Sequence, residues 1–130
     1  MRPAFTWVHH VRYIEVDIQR VVYNAHYLAW CDDAANEWFA SMPVPMADLG
    51  WDAMVKKATI EWNGSSSLMD DVTIEARVER WGHTSFDLGF RGRVGERPVF
   101  TATITYVGVV AGTTETMPPP PEVRAALGEP

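Results

Sequence analysis

Residues 24–42, NAHYLAWCDDAANEWFASM, narrow the folds open to this chain more than any other stretch. At the roughly 100° per residue of a helix, Tyr27, Leu28, Trp30, Cys31, Ala34, Ala35, Trp38, Phe39 and Met42 cover about half the circumference, and Asp32, Asp33, Asn36 and Glu37 hold the other side. An arc that broad exceeds what an ordinary surface helix requires. Cys31, Ala34 and Ala35 are also small enough to let the backbone approach a facing surface closely. The spacing predicts a helix lying against, or inside the curl of, a large sheet. Asn24 is a good N-cap residue, and Pro43 and Pro45 stop the helix at its far end.

The rest of the chain supplies that sheet. DVTIEARVERW (71–81) alternates, with Val72, Ile74, Ala76 and Val78 on one face and Thr73, Glu75, Arg77 and Glu79 on the other, the pattern of a half-buried antiparallel strand. TSFDLGFRGRV (84–94) places Phe86, Leu88 and Phe90 in the same way, after a tight turn at Gly82-His83. PVFTATITYVGVV (98–110) does so with Phe100, Ala102, Ile104 and Tyr106, after a turn at Gly95-Glu96-Arg97. In the segment 53–62, Met54, Ala58, Ile60 and Trp62 share a side, interrupted by Lys56. PPPPEVRAAL suggests a short C-terminal helix, and SMPVPMADLG reads as a loop.

Upstream, VRYIEVDIQRVVYNAHYLAW (11–30) changes period in mid-run, from alternation before Asp17 to helical spacing after Asn24. An acid thus stands at the end of an expected strand, just ahead of a helix start. The resulting order is a strand, a long helix and four strands with short turns. These elements share one core if the sheet curls around the helix, which makes the class α+β, a long central helix wrapped by about five antiparallel strands.

Composition sets the function classes aside. A chain of 130 residues with 47% hydrophobic and 22% charged side chains fits one globular domain, 1–130. A formal charge of −6 argues against nucleic acid. No run nears the roughly 18 apolar residues of a membrane span, and MRPAFTWVHH lacks the apolar stretch of a signal peptide, so no membrane partner and a cytoplasmic setting are expected. Cys31 is the single cysteine, which precludes an intrachain disulfide and a thiolate-rich metal site. His9 and His10, adjacent on a strand, point to opposite faces, so no metal is expected there. The serines of NGSSSL (63–68) lack the G-x-S-x-G spacing of a nucleophile elbow and read as a polar loop.

The stretch V-R-Y-x-E-x-D-x-Q-x-V-V-Y-N-A-x-Y-L-x-W resembles the N-terminal signature of the 4-hydroxybenzoyl-CoA thioesterase group of hotdog-fold acyl-CoA thioesterases. ERWGHTSFDLGFRGRV and PPPPEVRAAL are similar to later parts of that family, so the resemblance covers nearly the whole chain. It implies hydrolysis of an acyl-CoA thioester with neither metal nor redox cofactor, coenzyme A being part of the substrate. Asp17 would act as general base or nucleophile. The backbone N–H of Asn24, at the positive end of the helix, would polarise the thioester carbonyl. Tyr23 and His26 would border the acyl pocket, although a structural histidine explains His26 equally well. His83, Thr84 and Ser85 match a region that approaches the coenzyme A arm, usually across a subunit boundary, and a plain hairpin turn explains them too. A homodimer or homotetramer is expected, because a curled sheet leaves an edge that a second copy would cover.

One position departs from the family. Arg20 stands where the motif has glycine, a residue suited to an unusual backbone angle or the close approach of a ligand. An arginine there would narrow the site, pair with Asp17 or grip a phosphate of coenzyme A. A non-catalytic acyl-CoA or acyl-carrier binding module is therefore a second reading. A hotdog dehydratase is a third, although neither His26 nor His83 has that family's context. An aspartate ahead of a helix also serves widely as a turn or dipole-stabilising residue.

Overall fold

A computed structural model describes residues 3–130. Its elements run β1 (Phe5–His10), a 3₁₀ turn (Tyr13–Glu15), α1 (Asn24–Ala40), α2 (Met46–Leu49), β2 (Trp51–Trp62), β3 (Asp71–Trp81), β4 (Ser85–Val94), β5 (Arg97–Val110) and α3 (Pro121–Leu127). The five strands form one sheet in the order β1-β3-β4-β5-β2, every neighbouring pair antiparallel. With α1 packed on the sheet, this is the hotdog arrangement.

The apolar arc of α1 explains the packing. Tyr27, Trp30, Cys31, Ala34, Ala35, Trp38 and Phe39 are buried, and they join Val72, Ile74, Leu88, Phe100 and Ile104 of the sheet in one hydrophobic cluster. Phe5 stacks on Trp38 with ring centroids 5.8 Å apart. Leu28, assigned to the arc by periodicity, is the exception, for it stays partly exposed on a flank of the helix. The helix also ends at Ala40, two residues short of Met42, because Ser41 turns the chain back. The Ser41 amide donates to the Glu37 and Trp38 carbonyls, both at 3.1 Å, and its hydroxyl donates to the Trp38 carbonyl at 2.6 Å.

Three further differences from the pattern have local causes. The alternation over 11–16 is no strand: β1 ends at His10, and Tyr13–Glu15 coil into the 3₁₀ turn. The Glu15 carboxylate accepts the Arg12 amide at 2.8 Å while the Glu15 amide donates to the Arg12 carbonyl at 3.0 Å. That reciprocal pair closes the turn and leaves Tyr13 and Ile14 exposed. In β2 the register against β5 shifts between Val55 and Lys57, so Lys56 is a bulge that reverses the faces of the strand. Met54 consequently lies opposite Val107, on the face away from Ala58, Ile60 and Trp62, and Ala53 takes the inward place opposite Gly108. Last, Met46–Leu49 form a one-turn helix between Pro45 and a left-handed Gly50 (φ 63) where a loop was expected.

Candidate active site

The site grows from a small hairpin ahead of α1. Val16 and Val22 form an isolated antiparallel bridge. Inside it the Asp17 amide donates to the Val21 carbonyl at 3.0 Å, and the Arg20 amide donates to the Asp17 carbonyl at 2.9 Å. A three-residue loop of this kind needs a left-handed residue at its third position, and Arg20 holds that place with φ 67. Here lies the physical reason for a glycine at this point of the motif. Asp17 is therefore the first residue of a turn, a favoured place for aspartate, and its Oδ1 accepts the Gln19 amide at 2.8 Å. The side chain of Asp17 is half-buried, and among the described residues it makes no ion pair with Arg20. Ile18, at the loop tip, is fully exposed.

Two residues beyond the bridge the helix begins. Tyr23 (φ −66, ψ 134) is the N-cap and Asn24 is the first helical residue, one place inside the cap position that its side chain suggested. Tyrosine cannot cap, and no side chain among the described residues does so. The Asn24 amide, first in the helix, has no intrahelical acceptor. The surrounding backbone is tied down: the Val22 amide donates to the Ser66 carbonyl and the Tyr23 amide to the Glu15 carbonyl, both at 2.9 Å. Ser66 itself is fully buried. Its amide donates to the Tyr27 hydroxyl at 3.1 Å, and its Oγ lies 2.8 Å from that hydroxyl. The polar-loop reading of NGSSSL missed this anchor, since a single buried serine leaves no periodic trace.

From the helix start a cleft of about 350 Å³ runs along the exposed flank of α1, between Ala25, Leu28, Ala29 and Asp32 on one side and Val55 of β2 and Ile104 of β5 on the other. The four helical positions are spaced three and four apart, one stripe of the helix. Its walls are apolar except at Asp32, whose Oδ1 accepts the buried Tyr106 hydroxyl at 2.9 Å. Burial and the Asp32 carboxylate together push the Tyr106 hydroxyl far above the ordinary tyrosine range. Asp32 and Tyr106 were not among the residues that the motif pointed to, because one lay on the polar side of the helix and the other in a strand face.

The family profile of the Thioesterase-like superfamily matches residues 11–127. The chain belongs to the thioesterase-like superfamily. Its enzyme class is that of the thioester hydrolases. No sequence among the curated proteins matches it. Among solved structures, it is similar to a 1,4-dihydroxy-2-naphthoyl-CoA thioesterase from Synechocystis, with 18% identity over 95% of this chain and 94% of that one and a TM-score of 0.83. A gentisyl-coenzyme A thioesterase gives 19% identity, 95% and 99% coverage and a TM-score of 0.84. A Staphylococcus aureus protein solved in complex with CoA gives 15%, 94% and 80%, and 0.84. At such identities these neighbours establish the shared fold.

Within this thioesterase-like chain, Asp17, Arg20, Tyr23, Asn24 and His26 fall together at the hairpin and the first helical turn, the His26 ring edge-on to Tyr23 with centroids 6.0 Å apart. His83, Thr84 and Ser85 do not join them. They form the β3–β4 turn near the C-terminal end of α1, where Phe39 packs on Phe86 at 6.4 Å between centroids. The helix between the two ends, 17 residues long, spans about 25 Å at 1.5 Å per residue. His83 borders a separate cleft of about 210 Å³ with Trp81, Pro118, Pro119 and Arg124. Ser85 Oγ accepts from Arg80 at 3.1 Å, and the Thr84 carbonyl accepts the Gly108 amide at 2.7 Å. Burial pushes the Cys31 thiol far above its usual range, so Cys31 is packing and not a nucleophile.

One acid escaped the sequence reading. Glu15, two residues before Asp17, is almost fully buried. Its oxygens accept from His9 Nε2 at 2.8 and 3.0 Å, from the Arg12 amide at 2.8 Å and from Trp30 Nε1 at 2.8 Å. Burial raises its pKa, but these donors outweigh burial and hold the group down at about 2. His10, on the other face of β1, pairs with Asp71 at 2.6 Å instead. Among the described residues, no group of three or more His, Cys, Asp or Glu side chains is placed to hold a metal, and no helix is long and apolar enough to cross a membrane.

Proposed function

We propose that the protein hydrolyses acyl-CoA thioesters at the junction of the hairpin and α1. The observation that carries the reading is the pairing of a half-buried Asp17, with one oxygen tied to the Gln19 amide, and an uncapped helix start seven residues later. The thioester carbonyl oxygen accepts the Asn24 amide, and the positive end of the helix stabilises the charge that develops there. Asp17 removes a proton from water as the water oxygen bonds to the carbonyl carbon; collapse breaks the C–S bond, and the coenzyme A thiolate takes up a proton. In the nucleophilic variant the Asp17 carboxylate attacks first, and water then cleaves the anhydride. Neither route requires a metal or redox cofactor. The cleft along Ala25, Leu28 and Ala29 receives the acyl group, and Tyr23 and His26, paired edge-on at the helix start, are assigned to its border.

Arg20, exposed beside Asp17 and not paired with it, is suited to a coenzyme A phosphate. The free edge of the sheet at β2, with Met54 exposed on its outer face and Val55 exposed beside the cleft, suits a second copy. In a homodimer or homotetramer, His83, Thr84 and Ser85 would then reach the coenzyme A arm from the partner, since within one protomer they lie at the far end of α1. The experiment is thiol release from a panel of acyl-CoA substrates, followed with a thiol-reactive dye, for the wild type and Asp17→Asn. Asparagine keeps the turn hydrogen bond but removes the charge, so turnover should fall about 100-fold or more while a non-hydrolysable analogue binds as before. Near-normal turnover in Asp17→Asn would withdraw the catalytic assignment. Binding without thiol release in the wild type would favour the non-catalytic binding module.

A further inference from the structure

We propose that Glu15 is a positioning residue for Asp17, its buried carboxylate clamping the catalytic hairpin to β1 and α1. The inference rests on the reading of Asp17 as the acting carboxylate. Three segments converge on the two Glu15 oxygens: β1 through His9 Nε2, the 3₁₀ turn through the Arg12 amide, and the second turn of α1 through Trp30 Nε1. The backbone of the same residue makes a fourth tie, for its carbonyl accepts the Tyr23 amide at the N-cap of α1. Glu15 thus holds the start of the hairpin and the start of the helix to one another on either side of Asp17. His9 is sandwiched in turn, with its ring centroid 4.3 Å from Trp30 and 5.6 Å from Trp7. The outward tip of the hairpin makes no comparable contact, as the full exposure of Ile18 shows. Asp17 is therefore held from its N-terminal side by Glu15 and from its C-terminal side by the Val22–Ser66 bond. A buried acid with three donors and no free oxygen has no capacity left for substrate, so its effect on the reaction passes through geometry. Displacing a reacting group by about 1 Å can cost on the order of 100-fold in rate.

Two variants and two readouts test this. Glu15→Gln turns an amide NH₂ toward one of the three donors, and Trp30→Phe removes a single donor while keeping an aromatic ring against His9 and Tyr27. In hydrogen exchange, the Asp17 and Arg20 amides should exchange about tenfold faster in both variants while amides of β3 and β4 keep their protection. In kinetics, kcat should fall about 10- to 100-fold in Glu15→Gln and less in Trp30→Phe, with KM within about twofold of the wild type. In an Asp17→Asn background, Glu15→Gln should leave the residual rate unchanged, since a misplaced asparagine costs nothing further. Unaltered exchange at Asp17 and Arg20 in both folded variants would overturn the clamp. An equal rate loss with and without the Asp17 carboxylate would overturn its action through Asp17 and reduce Glu15 to a stabilising residue. A wild type that hydrolyses no thioester defeats the reading of Asp17, whereas the exchange arm still decides whether Glu15 holds the hairpin.

Discussion

The two ends of α1 are built on opposite plans. At its C-terminal end the last carbonyls are taken up by Ser41, and Phe39 meets Trp51, Phe86 and Tyr106 edge to face at 6.2 to 6.4 Å between centroids. Phe86 also stacks on Tyr106 at 5.4 Å and has no exposed surface. At its N-terminal end the helix is uncapped, an arginine sits in left-handed backbone, and large apolar side chains such as Ile18 and Tyr23 face solvent. At the first end the Glu37, Trp38 and Phe39 carbonyls all find donors in Ser41 and Met42; at the second, the first helical amide has no intrahelical acceptor. Aromatic packing is concentrated at one end of the helix, and the proposed chemistry is assigned to the other.

This division can be broken most forcefully at the sealed end. Phe86→Ala should cost about 3–5 kcal/mol of stability, the usual penalty for emptying a buried aromatic site. Because Phe86 is roughly a helix length from Asp17, kcat at temperatures where the variant stays folded should match the wild type. Chemical denaturation and thiol release measured on the same preparation check both halves. A large fall in kcat with the fold intact would show that the two ends are coupled.

Acid titration probes the clamp beneath the open end. Glu15 has a folded pKa of about 2 against an ordinary 4.5, so the ionised form stabilises the native state. That contribution is fully present above the unfolded value of 4.5 and is lost as pH falls from 4.5 toward 2. A shift of this size corresponds to roughly 3 kcal/mol at neutral pH. The stability difference between the wild type and Glu15→Gln should therefore be largest near neutrality and close over that window. Urea unfolding at a series of pH values measures it, and a difference independent of pH would remove the ionic part of the explanation.

What could be read from the sequence follows the same division. The helix and β3, β4 and β5 were legible because each buries a periodic face, and a period survives in one dimension. Asp17 and Asn24 could be named as candidates because they are close in the chain and belong to one motif. Whatever depended on a single polar residue finding distant partners was hidden. Glu15 bends an alternating run into a 3₁₀ turn by collecting donors from β1 and α1, so β1 ends earlier than the pattern implied. Lys56 reverses the faces of β2 through a bulge whose register is set by β5. The cleft joins α1 to Val55 and Ile104, a meeting that only the folded sheet brings about. Arg20 lies between these cases: the glycine expected at its position pointed correctly to an unusual backbone angle, yet the lack of an ion pair with Asp17 needed the structure.

Arg20 also provides the smallest and most selective test of the contrast between the ends. Its φ of 67 costs a residue with a Cβ about 1 kcal/mol relative to glycine. Arg20→Gly should relieve that strain. Part of the gain is offset because glycine also loses more freedom on folding, so a net stabilisation of somewhat under about 1 kcal/mol, or a few degrees in Tm, is expected. Arg20→Ala removes the same guanidinium but keeps the Cβ, so it should leave Tm near the wild type. The pair thus separates conformation from charge. If the guanidinium grips a coenzyme A phosphate, KM for acyl-CoA should rise by a similar factor in both variants with kcat little changed. A change in kcat and its pH dependence would instead mean that Arg20 acts on Asp17 despite the absence of an ion pair. Should Tm rise in Arg20→Gly while every kinetic parameter stays put in both variants, the arginine is a solvated charge on a strained loop, and the open end of α1 binds its substrate without it.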